Sequence, residues 1–326
     1  MQILRSLDDI AAPFEQACVT IGNFDGVHLG HQRLFEEVVS RAHQMGGTSV
    51  AVTFAPHPLK ILRPGGVRLI SSTSQKIELI RRAGLDVLVI IPFNRIFAEM
   101  PAAQFVDEVL LRRLGIRHLV VGFDYAFGRE REGDIDFLVQ QGAAKGFPVT
   151  VIHAHVVEGT LVSSTKIREL VVAGRMRDVR RLLGRWYQIR GVVSRGKQRG
   201  GRMLGFPTAN LQLSEEDLCP KTGVYVTQVI YDGRQYGGVA NIGYNPTFAD
   251  TALVAETHIF DFNRDIYGKS LHIDLLRHLR SETVFASTED LVVQIRKDIE
   301  VAHKVLEEAR QRQLLDYHPE NLSDDA

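Results

Sequence analysis

The feature that most constrains the fold is a change of pattern near residue 186. Before it, short apolar runs alternate with amphipathic helical patterns, and after it strand-like runs follow one another without helical patterns between them. Alternating strands and helices predict a parallel sheet with helices on both faces. Strand-like runs separated by Gly, Asn, Asp and Pro predict an antiparallel barrel or sandwich. The chain is therefore expected to contain two domains of different fold class.

The boundaries follow from the same pattern. In the first half, strands are expected at 18–21, 49–54, 86–91, 118–123 and 149–153, and helices at 30–45, 73–83 and 102–114. In the second half, strands are expected at 187–193, 223–231, 236–242, 255–262 and 271–276, before a helix capped by Ser287. A short helix at 176–183 precedes the change. We therefore predict domains at 1–184 and 185–312, with a polar, disordered tail at 313–326.

Composition excludes several functional classes. Lys plus Arg and Asp plus Glu both number 39, so no net positive charge attracts nucleic acid or an anionic membrane. Cys18 and Cys219 have no CxxC partner, which disfavours a disulfide framework or a cysteine zinc site. No apolar run approaches the ~18 residues of a membrane span, and no secretory signal is seen. We expect a cytoplasmic protein without nucleic-acid or membrane partners; a weak homo-oligomer stays open.

A glycine-rich turn, GNFDGVHLGH at 22–31, follows the first predicted strand. A helix is expected to begin near Gly30, and the N–H groups of a helix start favour phosphate. His28 and His31 are three positions apart and share one face of a helical turn, where two imidazoles can donate hydrogen bonds to a polyphosphate. The alternative is a pair of surface histidines beside structural glycines, which this spacing directly after an apolar strand disfavours.

The string SSTKIR at 163–168 opens another helix after the fifth predicted strand. The hydroxyl groups of Ser164 and Thr165 at a helix N-terminus, with Arg168 one turn later, suit phosphate binding. A plain helix cap is the alternative, and the similar string at Ser71 is expected to be only that. Because the carboxyl ends of parallel strands meet at one edge, Ser164 should lie at the same sheet edge as His28.

These two strings together resemble the nucleotidyltransferase superfamily. TFAPHP at 53–58 and GFDYAFG at 122–128 are similar to the FMN adenylyltransferase module of prokaryotic bifunctional riboflavin kinase/FAD synthetases, although Tyr125 stands where Phe is usual. The resemblance implies that His28 and His31 contact the ATP phosphates. It also implies ATP contacts for Asn23, Asp25, Ser164, Thr165 and Arg168, and a flavin side formed by Phe54, His57, Pro58 and Asp124.

A second glycine-rich string, GGRMLGFPTAN at 200–210, follows a near-match to a P-loop. The P-loop interpretation of 191–198 is rejected because Gln198 replaces the required hydroxyl and no helix follows. In the second string, glycines let the backbone approach phosphates, and Arg202 adds charge. Thr208 and Asn210 offer oxygen ligands for a hard cation. From the residues alone, a structural glycine-rich hairpin is the alternative.

This string resembles the PTAN motif of riboflavin kinases. Segments of that family follow in order at 223–225, 238–243, 245–248, 256–269 and 279–285, so the resemblance spans about 2–305. It implies a Rossmann-like nucleotidyltransferase domain followed by a six-stranded antiparallel β-barrel with a C-terminal helix. It assigns ATP contacts to Gly196, Arg202, Gly205, Thr208 and Asn210, Mg²⁺ to Thr208 and Asn210, flavin to Arg280, and the general base to Glu256.

The function implied is phosphorylation of riboflavin by ATP to FMN, followed by adenylyl transfer from ATP to FMN, giving FAD and pyrophosphate. Mg²⁺ would bridge phosphate oxygens with few protein ligands. One alternative is a monofunctional relative with one decayed site, but neither motif set lacks a reactive residue. Another is a non-enzymatic flavin- or RNA-binding protein, which the zero net charge disfavours. Glu256 is also the carboxylate of a predicted strand face shared with Val254 and Phe260; a plain surface strand is the alternative there.

Overall fold

A computed structural model describes residues 1–194, 205–244 and 253–312. The chain divides into two compact units, one comprising Met1–Lys166 and the other beginning at Ile167. None of the helices in these ranges is long and apolar enough to cross a membrane. The predicted tail at 313–326 lies outside the described residues, so its disorder stays a prediction.

The first unit contains a six-stranded sheet in which every strand pair is parallel. Its strands are β1 (Gln2–Leu4), β2 (Ala17–Ile21), β3 (Ser49–Ala55), β4 (Val87–Pro92), β5 (Ile116–Gly122) and β6 (Val149–Ile152), in the spatial order β1-β4-β3-β2-β5-β6. A separate two-stranded ladder joins β7 (Val156–Val157) to β8 (Thr160–Leu161). The five predicted strands are confirmed, whereas the three-residue β1 was too short to show a pattern.

Helices cover both faces of this sheet, as predicted. They are α1 (Leu29–Met45), α2 (Pro58–Leu62), α3 (Thr73–Arg82), α4 (Arg95–Ala98), α5 (Ala102–Gln104) and α6 (Ile135–Lys145). A π-helical segment at Phe105–Arg113 continues α5. Ala51 of β3 packs in one core with α1 and α3, while its neighbours Val50 and Val52 pack in a second core with the π-helical segment and α6. This alternation places a hydrophobic layer on each side of the sheet.

The second unit contains a closed barrel of six antiparallel strands, as the resemblance implied. Two helices, α7 (Ser164–Val172) and α8 (Met176–Leu183), precede it in the chain. Its strands are β9 (Tyr187–Ser194), β10 (Ala209–Gln212), β11 (Gly223–Tyr231), β12 (Arg234–Tyr244), β13 (Leu253–Ile259) and β14 (Ser270–Arg280), in the spatial order β10-β13-β12-β11-β14-β9. The barrel closes where β9 pairs with β10. The sequence analysis treated β10 as part of a loop.

Two helices pack on the outside of the barrel. In α9 (Thr288–Gln311), Ala302, Val305 and Leu306 lie in a core that covers the outer face of the barrel. The predicted cap is present, since the Asp290 N–H donates to the Ser287 hydroxyl oxygen at 3.1 Å. Helix α8 packs against β9 and β14. The second compact unit begins at Ile167, and the domain boundary that we predicted at 184 stays a prediction.

Candidate active sites

The loop between β2 and α1, residues 22–28, ends in a histidine pair. His28 caps α1, and its Nδ1 accepts a hydrogen bond from the backbone N–H of His31 at 3.3 Å. The two rings stack with their centroids 3.6 Å apart and an interplanar angle of 15°. The buried ring of Phe24 meets His31 edge-on at 5.3 Å. The structure therefore brings the two histidines together on one face, as their spacing predicted.

The carboxylate of Asp25 holds this loop from within. It is only 3% exposed and accepts hydrogen bonds from the backbone N–H groups of Ile70, at 3.0 and 3.2 Å, and Ser71, at 3.2 Å. In return, the N–H of Gly26 donates to the Ser71 hydroxyl at 3.1 Å. Ser72, not Ser71, caps α3. The expectation that the string at Ser71 is only a helix cap was therefore incomplete, because Ser71 also fixes the β2–α1 loop.

The start of α7 contacts the same loop. The Ser164 hydroxyl donates to the backbone carbonyl of Asp25 at 2.9 Å. Ser163 caps the helix by accepting from the N–H of Lys166 at 3.2 Å, so the Ser164 hydroxyl is not the cap. Thr165 is exposed, and the half-buried Arg168 follows one turn later on the helix. The two strings that predicted phosphate binding thus meet at the carboxyl edge of the sheet.

The residues predicted to line a flavin follow β3 and β5 at this edge. Phe54 belongs to an aromatic group, with its ring centroid 5.6 Å from that of Phe93 and 6.0 Å from that of Phe97. His57 caps α2 by accepting from the Leu59 N–H at 3.1 Å, and Pro58 is the first residue of that helix. Asp124 follows β5 and is exposed.

A buried lysine that the sequence analysis missed lies on α3. Lys76 is 7% exposed, and its Nζ donates to the carbonyl of Asn23 at 3.2 Å, the hydroxyl of Thr53 at 3.1 Å and the carbonyl of Phe54 at 3.4 Å. Burial lowers the pKa of Lys76 to about 8, and the Asp25 carboxylate opposes that shift. Lys76 lies four residues before the buried Ile80, on the same face of α3, and this spacing is the sequence feature that could have indicated its burial.

In the second unit, a cavity of about 380 Å³ lies between the outer face of the barrel and α9. Its lining residues are Phe206, Thr208, Val224, Val239, Ala240, Asn241, Glu256, His258, Arg280, Glu282, Thr283, Phe285, Leu291, Ile295 and Asp298. The cavity therefore brings together Thr208, Glu256 and Arg280, which are 72 positions apart in sequence from first to last. The sequence analysis had assigned these three residues to ATP and metal, to base catalysis and to flavin.

Glu256 lies on the wall formed by the barrel. Its neighbours on β13, Ala255 and Thr257, are fully buried on the opposite face of the strand. Glu256 is the direct cross-strand partner of Asn210 on β10 and of Asn241 on β12. Partial burial raises the pKa of Glu256 above its ordinary value, and the nearby Glu282 carboxylate raises it further. Glu256 is exposed on this face of the strand and lines the cavity, and its role as the general base stays a prediction.

The PTAN string forms a second part of the wall. His258 Nδ1 lies 2.9 Å from the carbonyl oxygen of Pro207, and its ring meets that of Phe206 edge-on at 5.7 Å. The Asn210 side-chain amide donates to the carbonyl of Thr208 at 3.4 Å. The role of His258 was missed because nothing in the sequence pairs it with residue 207. Of the other predicted ATP contacts, Gly205 is exposed, and Gly196 and Arg202 lie outside the described residues.

Arg280 is fixed at the edge of the cavity. Its Nε and Nη2 donate to Asp298 Oδ2 at 3.0 and 2.9 Å, and its guanidinium carbon lies 5.5 Å from the centroid of the Phe285 ring. Asp298 is 6% exposed and also accepts from the Gln294 amide at 2.9 Å. A buried carboxylate with several donors holds its partner in one orientation. The sequence predicted Arg280 but not its partner on α9.

The side-chain oxygens beside the cavity suit a cation that takes most of its ligands from substrate phosphates and water. Across the described part of the chain, no group of three His, Cys, Asp or Glu side chains could hold a metal by itself. Thr208 lines the cavity and offers a hydroxyl. Asn210, the cross-strand partner of Glu256, offers an amide oxygen, since its amide nitrogen is engaged with the Thr208 carbonyl. Mg²⁺ suits such a site because it is usually bound by one or two protein oxygens together with phosphates and waters.

Comparisons with known proteins agree with both halves of the structure. The FAD synthetase family model matches residues 11–166, and the riboflavin kinase family model matches residues 183–306. A solved structure from Streptococcus pneumoniae, described as a macrolide-efflux protein, superposes with a TM-score of 0.84 at 32% identity, covering 92% of this chain and 98% of that one.

Curated relatives match over nearly their whole length. A protein of Pseudomonas fluorescens is 39% identical over 310 residues, covering 93% of this chain and 97% of its own. Those of Bacillus subtilis and Escherichia coli K12 are 35% and 33% identical, covering 87% and 91% of this chain and 90% and 96% of their own. All three are named bifunctional riboflavin kinase/FMN adenylyltransferase. The chain therefore belongs to the bifunctional riboflavin kinase/FMN adenylyltransferase family.

Proposed function

We propose that this chain phosphorylates riboflavin to FMN with ATP in its second unit and transfers an adenylyl group from ATP to FMN in its first. The observation that carries the proposal is that a carboxylate with a raised pKa, Glu256, faces the same cavity as Thr208 and Arg280. The stacked histidines at the start of α1 support the second activity.

In the kinase reaction, Glu256 accepts the proton of the riboflavin 5′-hydroxyl as its oxygen attacks the γ-phosphorus of ATP. The bond between the γ-phosphorus and the bridging oxygen breaks, and ADP leaves. A carboxylate whose pKa is raised is a stronger base while it is still ionised near neutral pH. Positioning of the two reactants supplies much of the remaining rate enhancement. Arg280, held by Asp298, orients the flavin at the edge of the cavity.

Mg²⁺ would be held by the Thr208 hydroxyl and the Asn210 amide oxygen, and when bound it neutralises charge on the ATP phosphates. The role of the protein is to hold these two oxygens next to Glu256. The pairing of Asn210 with Glu256 across β10 and β13 supports this assignment. His258 contributes by binding the Pro207 carbonyl next to Thr208.

In adenylyl transfer, an oxygen of the FMN phosphate attacks the α-phosphorus of ATP, and the bond from the α-phosphorus to the pyrophosphate oxygen breaks. The attacking oxygen carries no proton that must be removed, so the site has to supply positioning and hydrogen-bond donors. Because Nδ1 of His28 accepts from the His31 N–H, neutral His28 carries its proton on Nε2. His28 therefore presents an N–H donor to the phosphates.

The leaving pyrophosphate is held by the start of α7. Ser164, Thr165 and Arg168 are the residues that we assign to the β- and γ-phosphates. The hydrogen bond from the Ser164 hydroxyl to the Asp25 carbonyl supports this assignment only by bringing the start of α7 next to the β2–α1 loop. On the flavin side we assign Phe54, His57, Pro58 and Asp124. We also propose that the protein acts in the cytoplasm, without nucleic-acid or membrane partners.

Two separate incubations test the proposal. The purified protein is supplied with riboflavin and MgATP in one, and with FMN and MgATP in the other, and flavins are resolved by chromatography. We expect FMN followed by FAD in the first and FAD alone in the second, and EDTA should stop both. Formation of only one product would indicate a monofunctional relative. Flavin binding without turnover would indicate a binding protein.

A further inference from the structure

Lys76 contacts both predicted substrate sides of the first unit, yet the mechanism above does not use it. Its ammonium group donates to the carbonyl of Asn23, in the β2–α1 loop that we assign to ATP. It also donates to the hydroxyl of Thr53 and the carbonyl of Phe54, at the end of β3 that we assign to the flavin. One side chain of α3 therefore joins the two segments.

The volume of Lys76 does not explain its presence in this position. Burying an ammonium group costs free energy unless its charge and hydrogen bonds are satisfied, and an apolar side chain of similar length would fill the space at a lower desolvation cost. Burial has lowered its pKa to about 8, which is the sign of that cost. Its ammonium group, in contrast, donates to three acceptors on two segments, and a side chain without several N–H bonds could not do this. The site therefore uses the donors of Lys76.

The β2–α1 loop is also bound at Asp25 and Gly26 by residues just before α3. Asp25 binds the backbone of Ile70 and Ser71, and Ser71 binds the N–H of Gly26. All these partners lie in or just before α3. Residues 70 to 76 thus bind the loop at Asn23, Asp25 and Gly26, and Lys76 is the member of this group that also reaches β3.

We propose that Lys76 is a positioning residue of the adenylyltransferase site, which sets the spacing between the ATP-binding loop and the flavin-binding end of β3. The proposal rests on the function proposed above. The Thr53 hydroxyl also donates to the Asn23 carbonyl at 3.2 Å, and the Lys76 ammonium group binds both of these groups together with the Phe54 carbonyl. With the two segments held in this way, the FMN phosphate and the α-phosphorus of ATP approach in line. A displacement of about 1 Å at such a distance can lower a rate by ~10²-fold.

Two variants and a control test this role. Lys76→Met keeps the length and removes every donor, whereas Lys76→Gln keeps two N–H bonds without the charge. Arg82→Met changes an exposed cation on the same helix and is the control. For each protein, kcat and the KM values for ATP and FMN are measured in adenylyl transfer, and the riboflavin kinase rate is measured on the same preparation.

We expect Lys76→Met to lower the adenylyl-transfer kcat by at least ~30-fold, with each KM changed by less than about threefold, because each substrate still has its own segment. The adenylyl-transfer kcat of Lys76→Gln should be at least about fivefold higher than that of Lys76→Met. Arg82→Met should stay within about twofold of the wild type. The kinase rate should be unchanged in all three variants.

Two results would overturn the proposal. A lower thermal stability with an unchanged kcat would show a purely structural lysine, and a change confined to the KM of one substrate would show that Lys76 serves one segment only.

If circular dichroism shows that Lys76→Met fails to fold, Lys76→Gln carries the same test. If the wild type itself makes no FAD from FMN, the proposed function fails, and that outcome is read before any variant is compared.

Discussion

The backbone N–H of His31 donates to Nδ1 of His28, while the two imidazole rings stack 3.6 Å apart. His28 therefore has two separable tasks. Its Nδ1 caps α1, and its Nε2–H is the donor that we assign to the ATP phosphates. A residue that keeps the cap but lacks the distal donor should distinguish the two tasks.

We predict that His28→Asn keeps α1 intact, since Asn is a favoured helix cap, but lowers FAD formation from FMN at least ~100-fold. His43→Asn, at the exposed end of the same helix, is the matched control. The measurement is the initial rate of FAD formation, with circular dichroism to check the fold. Full FAD synthesis by a folded His28→Asn variant would remove His28 from the site.

Replacing Glu256 by Gln should lower the riboflavin kinase rate at least ~100-fold, because the hydroxyl loses its proton acceptor while the pocket keeps its shape. Conversion of supplied FMN to FAD should stay near the wild-type rate. Glu300→Gln, an exposed carboxylate on α9, is the control. A kinase loss below about fivefold would contradict base catalysis, and equal losses in both rates would point to misfolding instead.

The buried ammonium of Lys76 should impose an alkaline limit on adenylyl transfer. Below a pH of about 8 it is charged and supplies three donors, and above that pH it loses a proton and supplies two. We therefore predict that kcat/KM for ATP falls as pH rises through about 8, and that this decline is absent in Lys76→Gln, which does not titrate. Initial rates across this range measure it, and the same decline in both proteins would contradict the assignment.

The contribution of Lys76 to the free energy of unfolding should rise over this range, whereas the adenylyl-transfer rate should fall. The pKa of Lys76 is lower in the folded chain than its ordinary value of 10.5, so the unfolded chain binds more protons between a pH of about 8 and 10.5. This group therefore adds stability as pH rises through that window, and its contribution is lost as pH falls to about 8. Urea unfolding of wild type and Lys76→Gln, compared at both ends of the window, measures the difference.

The kinase unit should need α8 for full stability. Met176, Val179 and Leu182 of this helix are buried, and α8 packs against β9 and β14. We predict that fragments beginning at residues 167 and 185 both phosphorylate riboflavin, but that the shorter one is less stable by at least ~3 kcal/mol. Urea unfolding of the two fragments tests this. Equal stability would show that α8 contributes nothing to the barrel.

Much of the fold could be predicted because its patterns are local. Every residue of β2 is buried, so it reads as a continuous apolar run, and α1 follows it with a regular apolar stripe. In the barrel, β13 alternates between buried and more exposed residues, as Ala255, Glu256 and Thr257 show. In contrast, β10 was missed because four residues after a glycine-rich string carry too little periodicity to separate a strand from a loop.

The supporting residues of both sites could not be predicted, because they act across long sequence separations. Lys76 binds a carbonyl 53 positions away, and His258 binds one 51 positions away. A lysine is normally a solvated residue, and a strand histidine normally needs no partner. The reactive residues could be found because they occur in short strings, whereas their supports are defined only by the folded chain.

The apolar stripe of α9 serves two purposes along its length. Leu291 and Ile295 line the cavity, whereas Ala302 and Leu306 pack against the barrel. In a variant library selected for protease resistance, the first pair should tolerate polar substitutions and the second pair should not. Selection for riboflavin turnover would reject such substitutions at all four positions. One continuous hydrophobic stripe therefore meets two different requirements, and hydropathy alone cannot distinguish the half that lines the cavity from the half that packs on the barrel.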